Sequence, residues 1–292
     1  MRAPRPLRAL LLVLLSLQSY PAAAQEIPGL LYDEVSPFER VVVVDEGGQR
    51  FLRFGSLTGD DQTVLDLARP DIPVLEYIPR TGFGMALLDA PDRALVIGLG
   101  GGSTTRFWHG IYPAMRIDSV EIDPLVVAVA FQYFGFPFDL LLPVHVMDGR
   151  AWVRESPGEY DLVLLDAYGA GDAPYHLTTL DYYAELRAKL APGAVVVANM
   201  VAEENNTVAA MARTFREAFP TVYRIETPND GNVLLIGTDG PQLTEAELAV
   251  RLEGFVAAHA PGMDPADLGR PSPSPGNVHG APVLRDRTTG TP

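Results

Sequence analysis

The chain has 292 residues, 47% of them hydrophobic, and its 37 acidic residues against 22 Lys and Arg give a formal net charge of −15. This acidic balance disfavours binding to nucleic acid or anionic membranes and suits a cationic small molecule. The sequence has no cysteine, which excludes disulfides and thiolate metal sites and leaves stability to a hydrophobic core. The length suits one α/β domain with an appendage, or two unequal domains.

Residues 1–24 have the pattern of a cleavable export signal. Arg2, Arg5 and Arg8 precede an apolar run from Ala9 to Leu17, and small residues follow at Ala22–Ala24. The apolar run is about half the roughly 20 residues that span a bilayer, so a secretory signal is favoured over a membrane anchor. We expect cleavage after residue 24 and a periplasmic or secreted protein. Residues 1–24 carry three Arg and no acid, so the remaining chain has a formal charge of −18.

A small N-terminal β-hairpin domain is predicted for residues 25–78. Two β-rich runs, Phe38–Asp45 and Arg50–Phe54, flank a Gly47-Gly48 turn, as in a hairpin. From Asp71 to Leu88 the apolar spacing becomes helical.

Residues 79–240 are predicted to form the main domain, in which strands alternate with helices. The predicted strands are Ala94–Ile97, Arg116–Ile122, Val144–Met147, Tyr160–Leu165 and Ala194–Asn199. The predicted helices are Thr104–Tyr112, Pro124–Phe134, Gly149–Glu155, Leu180–Leu190 and Thr207–Phe219. This alternation predicts an α/β fold with a doubly wound, mostly parallel sheet that helices cover on both faces.

The end of the chain departs from this alternation. Strands Thr221–Glu226 and Asn232–Gly237 are joined by only five residues, too few for a crossover, so the last strand is expected to be antiparallel. Thr244 and Glu247 form a capping-box pattern that predicts a C-terminal helix within residues 241–260. The tail, residues 261–292, is rich in Pro and Gly and is expected to be loosely ordered.

The glycines at 98, 100, 101 and 102 follow the first strand of the main domain. Such a turn lets the backbone approach a ligand closely, and ligands of open parallel sheets bind beyond the carboxyl ends of the strands. Glu121 ends the second strand, 21 residues after Gly100, where an acid accepts hydrogen bonds from ribose hydroxyls. A solvated strand-end acid is the alternative for Glu121.

Two further acids end the next strands. Asp148 follows the third strand and is placed to accept a hydrogen bond from an exocyclic amine such as that of adenine, with Gly149 leaving room for the ring. Asp148 also fits a helix N-cap, and both roles can coexist. Asp166 ends the fourth strand, and a carboxylate in the centre of a cleft is costly unless it is used. Asp166 is therefore the candidate catalytic residue.

The segment from Ala167 to Thr179 is long for a connection and has the polar and aromatic character of a substrate loop. His176 has two alternative roles: a loop histidine whose nitrogens are satisfied by hydrogen bonds, or a general base. Neither His109 nor His145 has a ligand partner at metal spacing, so no metal is predicted. The substrate-binding candidates in this loop are Tyr168, Asp172, Pro174, Tyr175 and His176.

From Ser36 to Gly237 these residues resemble the spermidine synthase, or polyamine aminopropyltransferase, family. The resemblance implies a class I methyltransferase-like (Rossmann-like) fold with a small N-terminal β domain. It also implies a pocket for decarboxylated S-adenosylmethionine, lined by Gln62, Gly98, Gly100, Gly101, Gly102, Glu121, Asp148, Gly149 and Asp166. The reaction it implies is transfer of an aminopropyl group to an amine, with Asp166 as base. Family members are commonly dimers or tetramers, so a homodimer is possible by analogy.

Three positions depart from the family pattern. Gly101 stands where the family has an acid that holds the donor's amine, Asp166-Ala-Tyr-Gly169 replaces Asp-Ser-Ser-Asp, and Leu75-Glu76 stands where the family often has Tyr-Gln. Candidate substitutes for the amine site are Glu76, Tyr77 and Asp172. Two alternatives therefore stay open: an S-adenosylmethionine-dependent methyltransferase, and a non-catalytic exported scaffold that binds nucleosides or polyamines.

Overall fold

The computed structural model describes residues 28–167, 173–201, 206–229, 231–273 and 278–287. Its first unit is an antiparallel sheet with strands in the order β1 (Leu30–Val35), β2 (Arg40–Glu46), β3 (Gln49–Phe54) and β4 (Asp61–Asp66). Strands β2 and β3 form the predicted hairpin, and Gly47 and Gly48 both have positive φ in its turn. The outer strands β1 and β4 are additional to the sequence prediction. Strand β1 is mostly exposed, so it lacks a long apolar run.

The first helix, α1 (Tyr77–Ala86), is shorter than the helix predicted from Asp71 to Leu88. The amide of Ile72 donates instead to the carbonyl of Arg69 in a turn. Ile72 precedes Pro73, and the proline ring disfavours helical backbone angles at the residue before it. The helix therefore starts only after the turn and its proline.

The second unit is a seven-stranded sheet in the order β10-β11-β9-β8-β5-β6-β7. Neighbouring strands from β7 to β9 are parallel, whereas β11 pairs antiparallel with both β9 and β10. This arrangement confirms the predicted doubly wound sheet with its antiparallel last strands. The remaining strands and helices are β5 (Arg93–Ile97), α2 (Ser103–Ile111), β6 (Arg116–Glu121), α3 (Pro124–Tyr133), β7 (Val144–Val146), α4 (Gly149–Glu155), β8 (Tyr160–Leu165), α5 (Leu180–Arg187), β9 (Leu190–Val201), α6 (Asn206–Ala218), β10 (Thr221–Thr227), β11 (Asn232–Thr238) and α7 (Glu245–His259).

Both faces of this sheet are buried, which explains its apolar strands. In β5, Ala94 and Val96 belong to one core cluster while Leu95 and Ile97 belong to the cluster on the opposite face. Since β5 lies between β6 and β8, the chain order reverses beside it. The carboxyl ends of β5 and β8 therefore mark the place where ligands bind in such sheets.

The tail is more closely packed than its composition suggests. Ser272 exchanges two backbone hydrogen bonds of 2.8 Å with Arg224 of β10, and residues 284–286 make hydrogen bonds to α5 and α6. Hydrogen bonds of this kind, between the tail and distant elements, cannot be predicted from the Pro and Gly content. In the part of the chain that is described, no helix combines the length and the apolar character needed to cross a membrane.

Candidate active site

A cavity of about 730 Å³ lies at the carboxyl ends of the parallel strands, beside β4 of the N-terminal sheet. This volume is in the range of small-molecule sites. Residues from both sheets line it, so the small N-terminal unit forms one wall. Ten of the predicted site residues contribute to the lining: Gln62, Tyr77, Gly98, Gly100, Glu121, Asp148, Gly149, Asp166, Pro174 and His176.

Gly98 is required by the close approach of two strand ends. The amide of Asp166 donates to the carbonyl of Ile97 at 2.8 Å, which brings β8 against the glycine turn. A Cβ on Gly98 would lie 2.2 Å from the carbonyl oxygen of Asp166, and its φ of +96° also disfavours any side chain. The floor of the cavity is therefore bare backbone at this point.

Gly101 and Gly102 pack behind the cavity wall. The amide of Gly101 donates to Oγ1 of Thr63 at 2.9 Å. A Cβ on Gly101 would lie 2.6 Å from Cγ2 of Thr63 and 2.9 Å from Cγ of Phe134, and one on Gly102 would lie 2.1 Å from the ring of Phe136. An acid at position 101, which the family resemblance implies, has no room here.

Glu121 is held by the backbone of the turns around it. Its Oε2 accepts from the amide of Leu99 and its Oε1 from the amide of Asp123, both at 3.0 Å. Burial raises the pKa of Glu121, and these backbone hydrogen bonds oppose the rise. The amide of Gly100 is a third backbone donor to this carboxylate, so about one of its four lone-pair sites is left for a ligand hydroxyl.

Asp148 serves as the N-cap of α4, as its position predicted. Its Oδ1 accepts from the amide of Ala151 at 2.9 Å, and its Oδ2 is 2.7 Å from Nε2 of His176. Burial acts to raise the pKa of Asp148, but the hydrogen bonds from Ala151 and His176 outweigh it and hold the pKa below its usual value. His176 is thus satisfied by a carboxylate partner.

Asp166 lies among three polar side chains. Nδ2 of Asn199 donates to its Oδ1 at 2.7 Å, and the hydroxyl of Tyr77 donates to its Oδ2 at 3.0 Å. Asn232 in turn donates to Oδ1 of Asn199 at 2.9 Å. Burial raises the pKa of Asp166, against the hydrogen bonds from Asn199 and Tyr77. The carboxylate is thus fixed in orientation and more basic than an exposed aspartate.

Other candidates lie elsewhere. Glu76 pairs with Arg80 at 2.6 Å and accepts from the amide of Asn229 at 3.0 Å. The hydroxyl of Tyr175 donates to the carbonyl of Arg285 at 2.8 Å, so this side chain is engaged with the tail. Tyr168 and Asp172 are outside the described residues. Tyr77, another proposed amine-site substitute, contacts Asp166 through its hydroxyl.

Sequence reasoning missed Thr63, Asn199 and Asn232, all of which line the cavity. Asn199 ends the predicted strand Ala194–Asn199, so the strand-end rule that selected Glu121 and Asp166 could have found it. Asn232 is the first residue of β11. Because β11 runs antiparallel to β9, Asn232 lies opposite Val201, at the end of β9 that borders the cavity. Thr63 carries no local signal of its contact with Gly101.

These features define an α/β protein with a class I methyltransferase-like fold and a small-molecule cavity at its topological switch point. No group of three or more His, Asp or Glu side chains suited to a metal ion occurs within the described residues. Residues 78–244 match the family described as spermine/spermidine synthase domain. The chain belongs to this family, and it is a transferase.

Two relatives illustrate the range of similar sequences. The chain is 27% identical to the polyamine aminopropyltransferase of Vibrio vulnificus over 238 residues, covering 80% of this chain and 79% of the relative. It is 33% identical to the eEF1A lysine and N-terminal methyltransferase of Mus musculus over 152 residues, covering 48% of this chain but only 22% of that much longer protein.

Solved structures give the same fold. A probable spermidine synthase from Corynebacterium glutamicum superposes with a TM-score of 0.71 at 18% identity, covering 91% of this chain and 99% of that one. Human methyltransferase-like protein 13 in complex with SAH has a TM-score of 0.57 at 27% identity, covering 65% and 96%. A spermidine synthase in complex with the transition state analogue AdoDATO has a TM-score of 0.56 at 17% identity, covering 76% and 83%.

Proposed function

We propose that this chain transfers an aminopropyl group from a decarboxylated S-adenosylmethionine-type nucleoside to a small cationic amine. The charge of the cavity carries the proposal. The described lining residues include neither Arg nor Lys. They include seven carboxylates, of which one, Asp61, pairs with Arg53 behind the lining; the seven are Glu39, Asp60, Asp61, Glu121, Asp123, Asp148 and Asp166. Such a wall favours a donor with a sulfonium and an amine over one that also carries a carboxylate. It equally favours an acceptor amine that arrives as an ammonium.

The nucleoside half of the proposal rests on three strand ends. The glycine turn at Gly98 lets the backbone approach the ligand, and the acceptor site left on Glu121 takes a hydrogen bond from a ribose hydroxyl. Asp148 and Gly149 line the cavity, and we assign them to the adenine ring. Similar proteins with SAH and AdoDATO bound support a nucleoside of this type.

In the chemical step, Asp166 takes a proton from the acceptor ammonium. The freed nitrogen lone pair attacks the carbon beside the sulfonium, a C–N bond forms, the C–S bond breaks, and methylthioadenosine leaves with the electron pair on sulfur. The raised pKa of Asp166 suits a base, because proton transfer is most efficient when the pKa of the base approaches the working pH. Tyr77 and Asn199 hold the carboxylate in place.

Release of methylthioadenosine tests the proposal. The folded protein is incubated with decarboxylated S-adenosylmethionine and a panel of diamines and polyamines, and the released nucleoside is quantified by chromatography. We expect release with at least one amine, reduced about 10²- to 10⁴-fold in Asp166→Asn. Asp239→Asn is the matched control, since Asp239 pairs with Arg187 and does not line the cavity. Absence of release with every amine from a folded wild type contradicts the proposal.

A methyltransferase is the second candidate, and Gly101 favours it. The acid that the family resemblance places there to hold the donor's amine has no room beside Thr63 and Phe134. A methyltransferase relative is also among the similar sequences. Isothermal titration separates the two: tighter binding of decarboxylated than of intact S-adenosylmethionine supports aminopropyl transfer, and the reverse order supports methyl transfer.

Two further hypotheses from the sequence, export and a non-catalytic scaffold, each have their own test. We propose that residues 1–24 direct the chain to the periplasm or outside the cell. If the fold served only as a nucleoside- or polyamine-binding scaffold, Asp166→Asn would leave its biological effect unchanged. If the wild type has a catalytic turnover that Asp166→Asn loses, the scaffold hypothesis is contradicted.

A further inference from the structure

The end of the chain is bound to the segment that carries His176 into the cavity. This segment, residues 173–179, contributes Ala173, Pro174, His176 and Leu177 to the cavity lining. It contains one turn of 3₁₀ helix, with hydrogen bonds from Leu177 to Pro174 and from Thr178 to Tyr175. Because it is not part of the sheet, its position depends on contacts with other elements.

Residues 284–287 supply several of those contacts. The amide of Leu180, directly after the segment, donates to the carbonyl of Leu284 at 2.9 Å. The hydroxyl of Tyr175 donates to the carbonyl of Arg285 at 2.8 Å. The guanidinium of Arg287 lies 4.6 Å from the centroid of the Tyr175 ring. Residues 284–287 therefore contact the segment at Tyr175 and directly after its last residue.

Arg150 joins the tail, the segment and α5. Arg150 directly follows Gly149 at the start of α4, and its side chain is only 7% exposed. The guanidinium makes two hydrogen bonds to Asp286, at 2.8 and 2.7 Å, and two to Glu185, at 2.9 and 2.7 Å. Nη1 also donates to the carbonyl of His176 at 3.2 Å. One buried cation thus ties the tail to the backbone of a cavity residue.

Among the described residues of the tail, Asp286 makes the most such bonds. Its Oδ1 also accepts from Oγ1 of Thr179 at 2.8 Å, and its amide donates to Asp181 at 2.9 Å. Bidentate pairs between Arg and a carboxylate fix geometry as well as adding energy. Two of its partners, Thr179 and Asp181, follow His176 closely in sequence, and the third, Arg150, donates to the His176 carbonyl.

We propose that residues 284–287 form a latch that positions His176 against Asp148 and so shapes the nucleoside end of the cavity, with Asp286 as a positioning residue. The latch rests on the proposed function only for the identity of the nucleoside. Without it, the segment from 173 to 179 keeps its single turn but loses its outer support. His176 then spends less time at Asp148, and the cavity wall is less well defined for a ligand.

The experiment compares Asp286→Ala and Asp286→Glu with wild type in the full chain. Hydrogen exchange reports the opening of the segment, and titration with 5′-methylthioadenosine reports nucleoside binding. Asp239→Ala is the matched control, because Asp239 also makes two hydrogen bonds to one guanidinium, that of Arg187, at 2.9 and 3.0 Å. We expect Asp286→Ala to speed exchange in residues 173–180 and to weaken binding, each by about fivefold, the upper range for a part-exposed ion pair.

The outcomes separate the latch from the function. Recovery of both readouts in Asp286→Glu, with no change in Asp239→Ala, supports a positioning role. Unchanged exchange in Asp286→Ala, or faster exchange with unchanged nucleoside binding, overturns the latch. If wild type binds no nucleoside at all, the proposed function fails, while the exchange data still decide whether the tail holds the segment.

Discussion

Gly101→Ala tests whether the glycine turn is packed too tightly for any side chain. The new methyl carbon would lie 2.6 Å from Cγ2 of Thr63 and 2.9 Å from Cγ of Phe134, far inside the 3.5–4.0 Å optimum for carbon contacts. Thr63 cannot swing aside freely, since its side chain is β-branched and its Oγ1 accepts from the Gly101 amide. Overpacking of this kind costs about 1–3 kcal/mol, so the free energy of unfolding should fall by that amount.

Urea denaturation measures this change, and the same chain supplies two controls. Gly110 lies in α2 with no atom within 4 Å of a built Cβ, so Gly110→Ala should stabilise the protein by up to about 1 kcal/mol. Adding Thr63→Ser to Gly101→Ala removes one of the two clashes and should restore part of the loss. A Gly101→Ala protein as stable as wild type would refute the packing argument, and with it the reason for the missing acid.

Three further predictions concern pH and processing. Turnover should fall on acidification, because burial raises the pKa of Asp166 and the protonated carboxyl cannot accept a proton. Tyr77→Phe removes a hydrogen-bond donor to this carboxylate and should move the acid limb of the pH–rate profile up by about one pH unit. A downward shift would contradict the hydrogen bond. Hydrogen bonding to Arg150 lowers the pKa of Glu185 to about 2, below its unfolded value, so its contribution to stability is present above about pH 5 and lost as the pH falls towards 2. Urea unfolding of Glu185→Gln should therefore depend less on pH between 5 and 3, and an unchanged slope would count against the ion pair. N-terminal sequencing of exported protein should begin at residue 25, after Ala24; an intact N-terminus would disprove cleavage.

The strands of the main sheet could be predicted from the sequence because they are buried on both faces and so form continuous apolar runs. Strand β8 (Tyr160–Leu165) matches the predicted strand at both ends, and so does helix α4 (Gly149–Glu155), which precedes it. The outer strands of the small sheet lack this signal: β1 is mostly exposed, and β4 carries only a short apolar run between acids. The early start predicted for α1 reflects apolar spacing that the turn before Pro73 overrides.

Part of the site could be predicted from the sequence for a different reason. Carboxyl ends of parallel strands meet at one edge, so Glu121, Asp148 and Asp166 could be placed together before any coordinates. Contacts between distant segments carry no local signal. The approach of Thr63 to Gly101, across 38 positions, and the pairing of Asp286 with Arg150, across 136, follow only from the folded chain.

Thermal unfolding with and without 5′-methylthioadenosine tests the central claim, that this cavity binds an adenosyl nucleoside. A ligand at about 100 times its dissociation constant adds about 2.7 kcal/mol to the folded state, which raises the melting temperature of a domain this size by several degrees. We expect such a rise with methylthioadenosine and none with the matching guanosine nucleoside. An unchanged melting temperature at millimolar methylthioadenosine would contradict it.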